Sequence, residues 1–166
     1  MTKTLILIRH SKTENRDSSL ADFNRSLTDE GRSDSMKMGN FLLQSGIVPD
    51  LIVTSSAVRA YETSTILADV FKTDKENIIA TRQLYYSTAK TILDQICGLN
   101  DTINCLMVVA HNPGISDLSR GLSSGKSSYM ENTQVILIEF DIKNWFQIDG
   151  QKIISFRSLK PNEITL

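Results

Sequence analysis

The sequence predicts an α/β protein, a three-layer α/β/α sandwich around a mostly parallel central sheet. Two runs carry that expectation. Leu5-Ile6-Leu7-Ile8 and Leu106-Met107-Val108-Val109-Ala110 are continuous, apolar and rich in branched residues, as strands covered on both faces are. Stretches of helical spacing lie between such runs, and strands alternating with helices build parallel sheets.

In chain order, the first strand ends at Arg9-His10, and residues 11–27 follow as a polar loop, longer than a simple connector needs. Thr28 is placed to cap a helix with Asp29 and Glu30 in its first turn, Met36, Phe41 and Leu42 as apolar positions and Gly46 as its stop. Gly46 to Pro49 turns the chain into a strand at 51–54. A second helix runs from about Ala57 to Phe71, with Val58, Tyr61, Thr65, Ile66 and Val70 near helical spacing. Ile78-Ile79-Ala80 reads as a weak strand, Thr88 to Gly98 as a helix with Ile92, Leu93 and Ile96 inward, and Cys105 to Ala110 as a strong strand. Asn112-Pro113-Gly114 turns sharply into a short helix. The tail offers two further strands, Gln134 to Phe140 and Lys152 to Phe156, suited to a hairpin or a sheet edge.

The whole, 1–166, reads as one domain without linker, repeat or second core. A formal charge of −1 with scattered basic residues excludes a general nucleic-acid surface, so any anion must be bound locally. The opening segment has too few apolar residues before Arg9 for a signal-peptide core or a membrane span, which makes the cytoplasm the expected compartment. Cys97 and Cys105 are expected as reduced core thiols.

The two histidines of the chain, His10 and His111, each stand at the end of one of the strong apolar runs, at the carboxyl edge where open α/β sheets bind ligands. Arg9 precedes the first of them, and Arg59 falls in the first turn of the second helix. A cation there opposes the helix dipole unless something negative is bound with it. Guanidinium forks match phosphate oxygens, and neutral imidazole is a nucleophile, so the set points to phosphoryl transfer. No His-Glu-x-x-His pair, Walker loop, Gly-x-Gly-x-x-Gly or Gly-x-Ser-x-Gly appears, which argues against a catalytic metal, a nucleotide cofactor and serine hydrolase chemistry.

These residues resemble the histidine phosphatase superfamily. Leu7-Ile8-Arg9-His10-Ser11 looks like its Arg-His-Gly signature, Ser55-Ser56-Ala57-Val58-Arg59-Ala60-Tyr61-Glu62-Thr63 is similar to its Ser-Pro-x-x-Arg-Ala-x-x-Thr segment, and Val109-Ala110-His111-Asn112-Pro113-Gly114 completes the set. The short length and Arg25-Ser26-Leu27-Thr28 look most like the SixA-type phosphohistidine phosphatases. The resemblance implies a phosphoglycerate mutase-like fold and a reaction that needs no cofactor or metal. It implies His10 as the phosphorylated nucleophile, with Arg9, Arg59 and His111 around the phosphate and Arg25 as a further contact. The implied partner is a histidine-phosphorylated protein domain or a small phosphorylated substrate.

The chain departs from the family pattern at Ser11, Ser26 and Ser56, and it reads Gln83 where many relatives carry an acidic proton donor. An imidazole leaving group needs that acid less than an alkoxide does, which favours phosphohistidine as substrate. A phosphatase of small phosphomonoesters would draw its acid from Glu14, Asp22 or Asp117. A non-catalytic module that docks phosphoproteins is the remaining alternative. Tyr85, Tyr86, Tyr129 and Met130 are candidates for the mouth of the cleft.

Overall fold

The computed structural model describes residues 2–15 and 21–166. Six strands form one sheet: β1 (Thr2–Arg9), β2 (Leu51–Ser55), β3 (Ile78–Thr81), β4 (Cys105–Ala110), β5 (Val135–Asp141) and β6 (Ile153–Leu159). Their order is β3-β2-β4-β1-β5-β6. The first four are mutually parallel, and β5 runs antiparallel to both β1 and β6. The tail strands thus lie side by side at one edge, as the sequence predicts, and part of the expected loop 11–27, including Ser18 and Ser19, lies outside the described residues.

Helices α1 (Asp29–Gln44) and α2 (Val58–Phe71) cover one face; α3 (Ala89–Cys97) and α4 (Gly114–Leu122) cover the other. The period of two along the strands sorts the core. Leu5 and Leu7, Leu106, Val108 and Ala110, and Ile136 and Ile138 pack with α3 and α4. Ile6 and Ile8, Met107 and Val109, and Val135 and Leu137 pack with α1 and α2. Leu5 to Ile8 are fully buried, each a contribution of roughly 1.5–3 kcal/mol.

Thr28 caps α1 as expected, its hydroxyl accepting the Gly31 N–H at 3.0 Å. Gly31 is required there, because an added Cβ would collide with the backbone of Lys12 and push α1 away from the segment that follows His10.

Two expectations of packing fail. On α1 the inward methionine is Met38, and Met36 is exposed. On α2 the buried face is Ala60, Thr63, Ser64, Leu67, Ala68 and Phe71, while Tyr61 is exposed and Val58, Thr65, Ile66 and Val70 are only partly covered. Large side chains advertise a face, yet here small ones take it because α1 lies close: a Cβ on Gly39 would sit 3.2 Å from Leu67. The polar members of that face satisfy themselves locally, Thr63 donating to the Arg59 carbonyl at 2.8 Å and Ser64 to the Ala60 carbonyl at 2.9 Å.

Both cysteines are free and half-buried, and burial beside Asp50 pushes the Cys105 thiol up to about 12. Among the described residues no helix is long and apolar enough to cross a membrane.

Candidate active site

The register of the sheet brings the histidines together. β1 and β4 are parallel neighbours with Arg9 opposite Ala110, so the next residue of each strand, His10 and His111, leaves the sheet at the same height. Their ring centroids are 5.0 Å apart. β1 is also where the order switches, its partner on one side being β4 and on the other β5, which opens a crevice at the carboxyl edge.

The His10 ring is oriented by its own chain. Nδ1 meets the Ser11 carbonyl at 2.9 Å, which places the proton on Nδ1, and the lone pair on Nε2 then faces the Arg59 Nε–H at 3.3 Å. Ser11 is pinned in turn. Its N–H donates to Thr63 Oγ1 at 3.0 Å, and its hydroxyl lies 2.7 Å from Thr133 Oγ1 and 2.6 Å from Ser35 Oγ. Ser35 donates to the Gly31 carbonyl, so the buried hydroxyls run in one direction, Thr133 to Ser11 to Ser35.

His111 is held by Ser55, with Nε2 and Oγ 2.7 Å apart. Ser55 Oγ also accepts the Ala57 N–H at 3.2 Å, and in the tautomer that takes the Ser55 proton on Nε2 the imidazole carries its own on Nδ1, facing the cleft. Burial, together with the arginines, holds both rings neutral. His10 is lowered to about 3 by burial and then by His111, Arg59 and Arg9; His111 is lowered to about 3 by burial, Arg59 and Arg9 against an opposing pull from Asp22.

Arg9 reaches back to the Met130 carbonyl with Nη1 at 3.0 Å, a carbonyl shared with Asn112 Nδ2 at 2.8 Å. Arg59 is buried, and its Nη1 and Nη2 bind the carbonyl and carboxylate of Asp22 at 2.7 and 3.0 Å. Arg25 donates to Thr13 Oγ1 at 2.8 Å and stands 3.4 Å from Asp22 Oδ1. A cleft of about 240 Å³ is lined by all five predicted site residues, Arg9, His10, Arg25, Arg59 and His111. Four buried side-chain polar atoms lack a hydrogen-bond partner among the described residues, and three of them, Arg9 Nε, Arg25 Nε and His111 Nδ1, belong to this cleft. A buried donor left unpaired costs on the order of 1–3 kcal/mol.

Several sequence expectations change here. Gln83 turns away, accepting from Gln95 at 2.6 Å, and the space beside the site is taken by Tyr85 and Tyr86. Of the three acids considered, Glu14 is not in the cleft and Asp117 pairs on the surface with Arg120; Asp22 alone is in place. It is no proton donor: burial pushes it up, but hydrogen bonds from Tyr85 and Tyr86 and the Arg59 guanidinium bring it down to about 2. Tyr86 and Tyr129 do line the mouth and are exposed, whereas the Met130 side chain is core and only its carbonyl serves the site. The sequence reading missed Ser55 and Asn132. Ser55 follows the apolar run of β2 as His10 and His111 follow theirs; Asn132, which donates to the His10 carbonyl at 2.9 Å, comes before a strand and carries no such signal.

Among the described residues no group of three or more His, Cys, Asp or Glu side chains could hold a metal ion.

Residues 5–85 match the family model described as the histidine phosphatase superfamily, branch 1. An uncharacterized chloroplastic protein of Arabidopsis thaliana is 28% identical over 153 residues, covering 87% of this chain and 70% of that one. A 2,3-bisphosphoglycerate-dependent phosphoglycerate mutase of Nocardioides is 36% identical over 73 residues, 42% of this chain and only 29% of the mutase. The solved structure of the protein histidine phosphatase SixA complexed with tungstate superposes with a TM-score of 0.78 at 18% identity, covering 96% of this chain and 97% of that one. Residues 5–85 thus match the histidine phosphatase superfamily, and the sheet has the phosphoglycerate mutase-like fold of its solved neighbours.

Proposed function

We propose that this phosphatase hydrolyses phosphohistidine on a protein partner through a covalent intermediate on His10, without a metal. The observation that carries the reading is a set of under-used donors around the unprotonated Nε2 of His10: among the described residues Arg9 Nε and His111 Nδ1 have no hydrogen-bond partner, and Arg25 Nε has only a 3.4 Å ion pair with Asp22. A tetrahedral oxyanion would supply the acceptors they lack, and the SixA structure of the same fold holds tungstate, an oxyanion of that kind.

In the first step His10 Nε2 attacks phosphorus. A nitrogen–phosphorus bond forms on His10 while the one to the substrate imidazole breaks, its electron pair leaving with that ring. Arg9, Arg59 and the Nδ1–H of His111 hold the oxygens as charge spreads over them, and Arg25 adds a further contact. In the second step water attacks the phosphorylated His10, releasing phosphate and restoring the imidazole. The Ser11 carbonyl binds the Nδ1 proton throughout, which stabilises the cationic ring of the intermediate. Reduced Cys97 and Cys105 suit the cytoplasm as the site of action.

The test is phosphate release from a histidine-phosphorylated carrier domain beside an aryl phosphate, with His10→Ala as control. Release from the carrier, lost by at least about 10³-fold in the variant, supports the reading. Turnover of the aryl phosphate alone would move the substrate to small phosphomonoesters, and no turnover of either would leave a phosphoprotein-binding module.

A further inference from the structure

Asp22 is the one acidic side chain lining the cleft among the described residues, in the company of three arginines. A carboxylate there weakens the hold on a phosphate by repulsion, yet it is fixed in place with care. Its Oδ2 accepts from Arg59 Nη2 at 3.0 Å and from the hydroxyls of Tyr85 and Tyr86 at 2.9 Å each, and Oδ1 faces Arg25. The two tyrosine rings pack against one another, centroids 4.2 Å apart and tilted by 41°, and Tyr86 adopts a left-handed backbone, φ 53°. With Arg59, Tyr85 and Tyr86 all donating to Oδ2, the group is an anion on the wall of the cleft, and Oδ1 keeps room for a further donor. An anion there works against a departing alkoxide and in favour of a leaving ring that is cationic before the bond breaks.

We infer that Asp22 is a specificity-determining catalytic residue that selects phosphohistidine over phosphate esters by binding the far N–H of the phosphorylated imidazole. This rests on the function proposed above. A phosphorylated imidazole protonated on its far nitrogen is a cation, and the Asp22 carboxylate stabilises that form. When the phosphorus–nitrogen bond breaks, the electron pair stays on the near nitrogen, the proton stays on the far one, and neutral imidazole departs. No proton donor is required, which accounts for a cleft that among the described residues holds a carboxylate and no carboxylic acid.

The experiment compares wild type, Asp22→Asn and Asp22→Glu on a histidine-phosphorylated carrier domain and on 4-nitrophenyl phosphate, with inhibition by inorganic phosphate and the unfolding midpoint measured for each. The expected result is a fall of at least tenfold in the carrier-to-aryl ratio of kcat/KM for Asp22→Asn, whatever common change the loss of its bond to Arg59 brings to both substrates, and a partial return of that ratio in Asp22→Glu. Equal losses on both substrates would overturn the inference and make Asp22 a prop for Arg59. Gains on both, with tighter phosphate inhibition, would overturn it in favour of a carboxylate that competes with substrate. If wild type spares the carrier altogether, the functional reading itself has failed, a result distinct from an unchanged ratio in the variants. An Asp22→Asn chain that does not fold hands the decision to Asp22→Glu, whose carrier-to-aryl ratio must stay within about threefold of wild type.

Discussion

Strand β1 carries a cation near each end, Lys3 buried and Arg9 half-buried, and the two are treated in opposite ways. At the amino end Lys3 is 1% exposed; its Nζ donates to the carbonyls of Asp101 and Ile103 at 2.8 and 2.7 Å and lies 3.4 Å from Asn104 Oδ1 and 5.3 Å from the Trp145 ring centroid. At the carboxyl end, among the described residues, Arg9 has one hydrogen-bond partner, the Met130 carbonyl, and a buried Nε with none. Burial pulls the Arg9 guanidinium down from its usual value, and Arg59 beside it adds to that. A buried charge whose donors are all met by fixed dipoles is part of the frame. One left short of acceptors, at the ligand-binding edge of an α/β sheet, is prepared for something that arrives.

The contrast can be broken from either end. Arg9→Ala is expected to lower turnover of a phosphorylated substrate about 10²- to 10³-fold, the usual effect of removing one preorganised donor, while leaving the unfolding midpoint near wild type. Steady-state rates and thermal melts of one preparation would check both halves, and a large loss of stability would mean that Arg9 is frame as well. Lys3→Met should do the reverse. It removes the Lys3 hydrogen bonds to the Asp101 and Ile103 carbonyls, the second of which keeps Trp145 Nε1 as a donor at 2.9 Å, a loss of roughly 1–3 kcal/mol read as a lower denaturant midpoint with kcat unchanged in the folded fraction.

The neutral histidines sharpen the contrast through pH. Each is lowered to about 3 in the folded chain against an ordinary value of 6.5, so between those values the unfolded chain binds more protons than the folded one. Stability is therefore full above pH 6.5 and is lost as pH falls toward 3, by at most about 1.4 kcal/mol per pH unit for each ring. Urea midpoints measured from pH 7 to pH 4.5 should fall more steeply in wild type than in His111→Gln. The smallest effect belongs to Thr28→Ala, which removes the cap of α1 and should cost about 1 kcal/mol by equilibrium unfolding.

Most of the frame is legible in the sequence because β1 and β4 are buried on both faces and say so in unbroken apolar runs. The sites at their ends are legible for the same reason, since a histidine directly after such a run leaves the sheet at a known edge. What the sequence conceals depends on neighbours far along the chain. The buried face of α2 is small and polar because α1 packs against it, which no spacing of large residues reveals. Asp22 reads as one more loop carboxylate until Tyr85 and Tyr86, 63 and 64 positions away, are seen to hold it. Gln83 draws attention as a missing acid, although its side chain faces α3 and not the cleft.

The hydroxyl run from Thr133 through Ser11 to Ser35 joins the turn before β5, the segment after His10 and α1 into a single dependency. Restoring the glycine of the family pattern at position 11 would strand the Thr133 hydroxyl, just as replacing Thr133 first would leave Ser11 without its donor. Changes at these sites are thus epistatic: two together should be tolerated better than the sum of each alone. Ser11 is held in place by its partners, much as a ratchet holds the tooth it has passed.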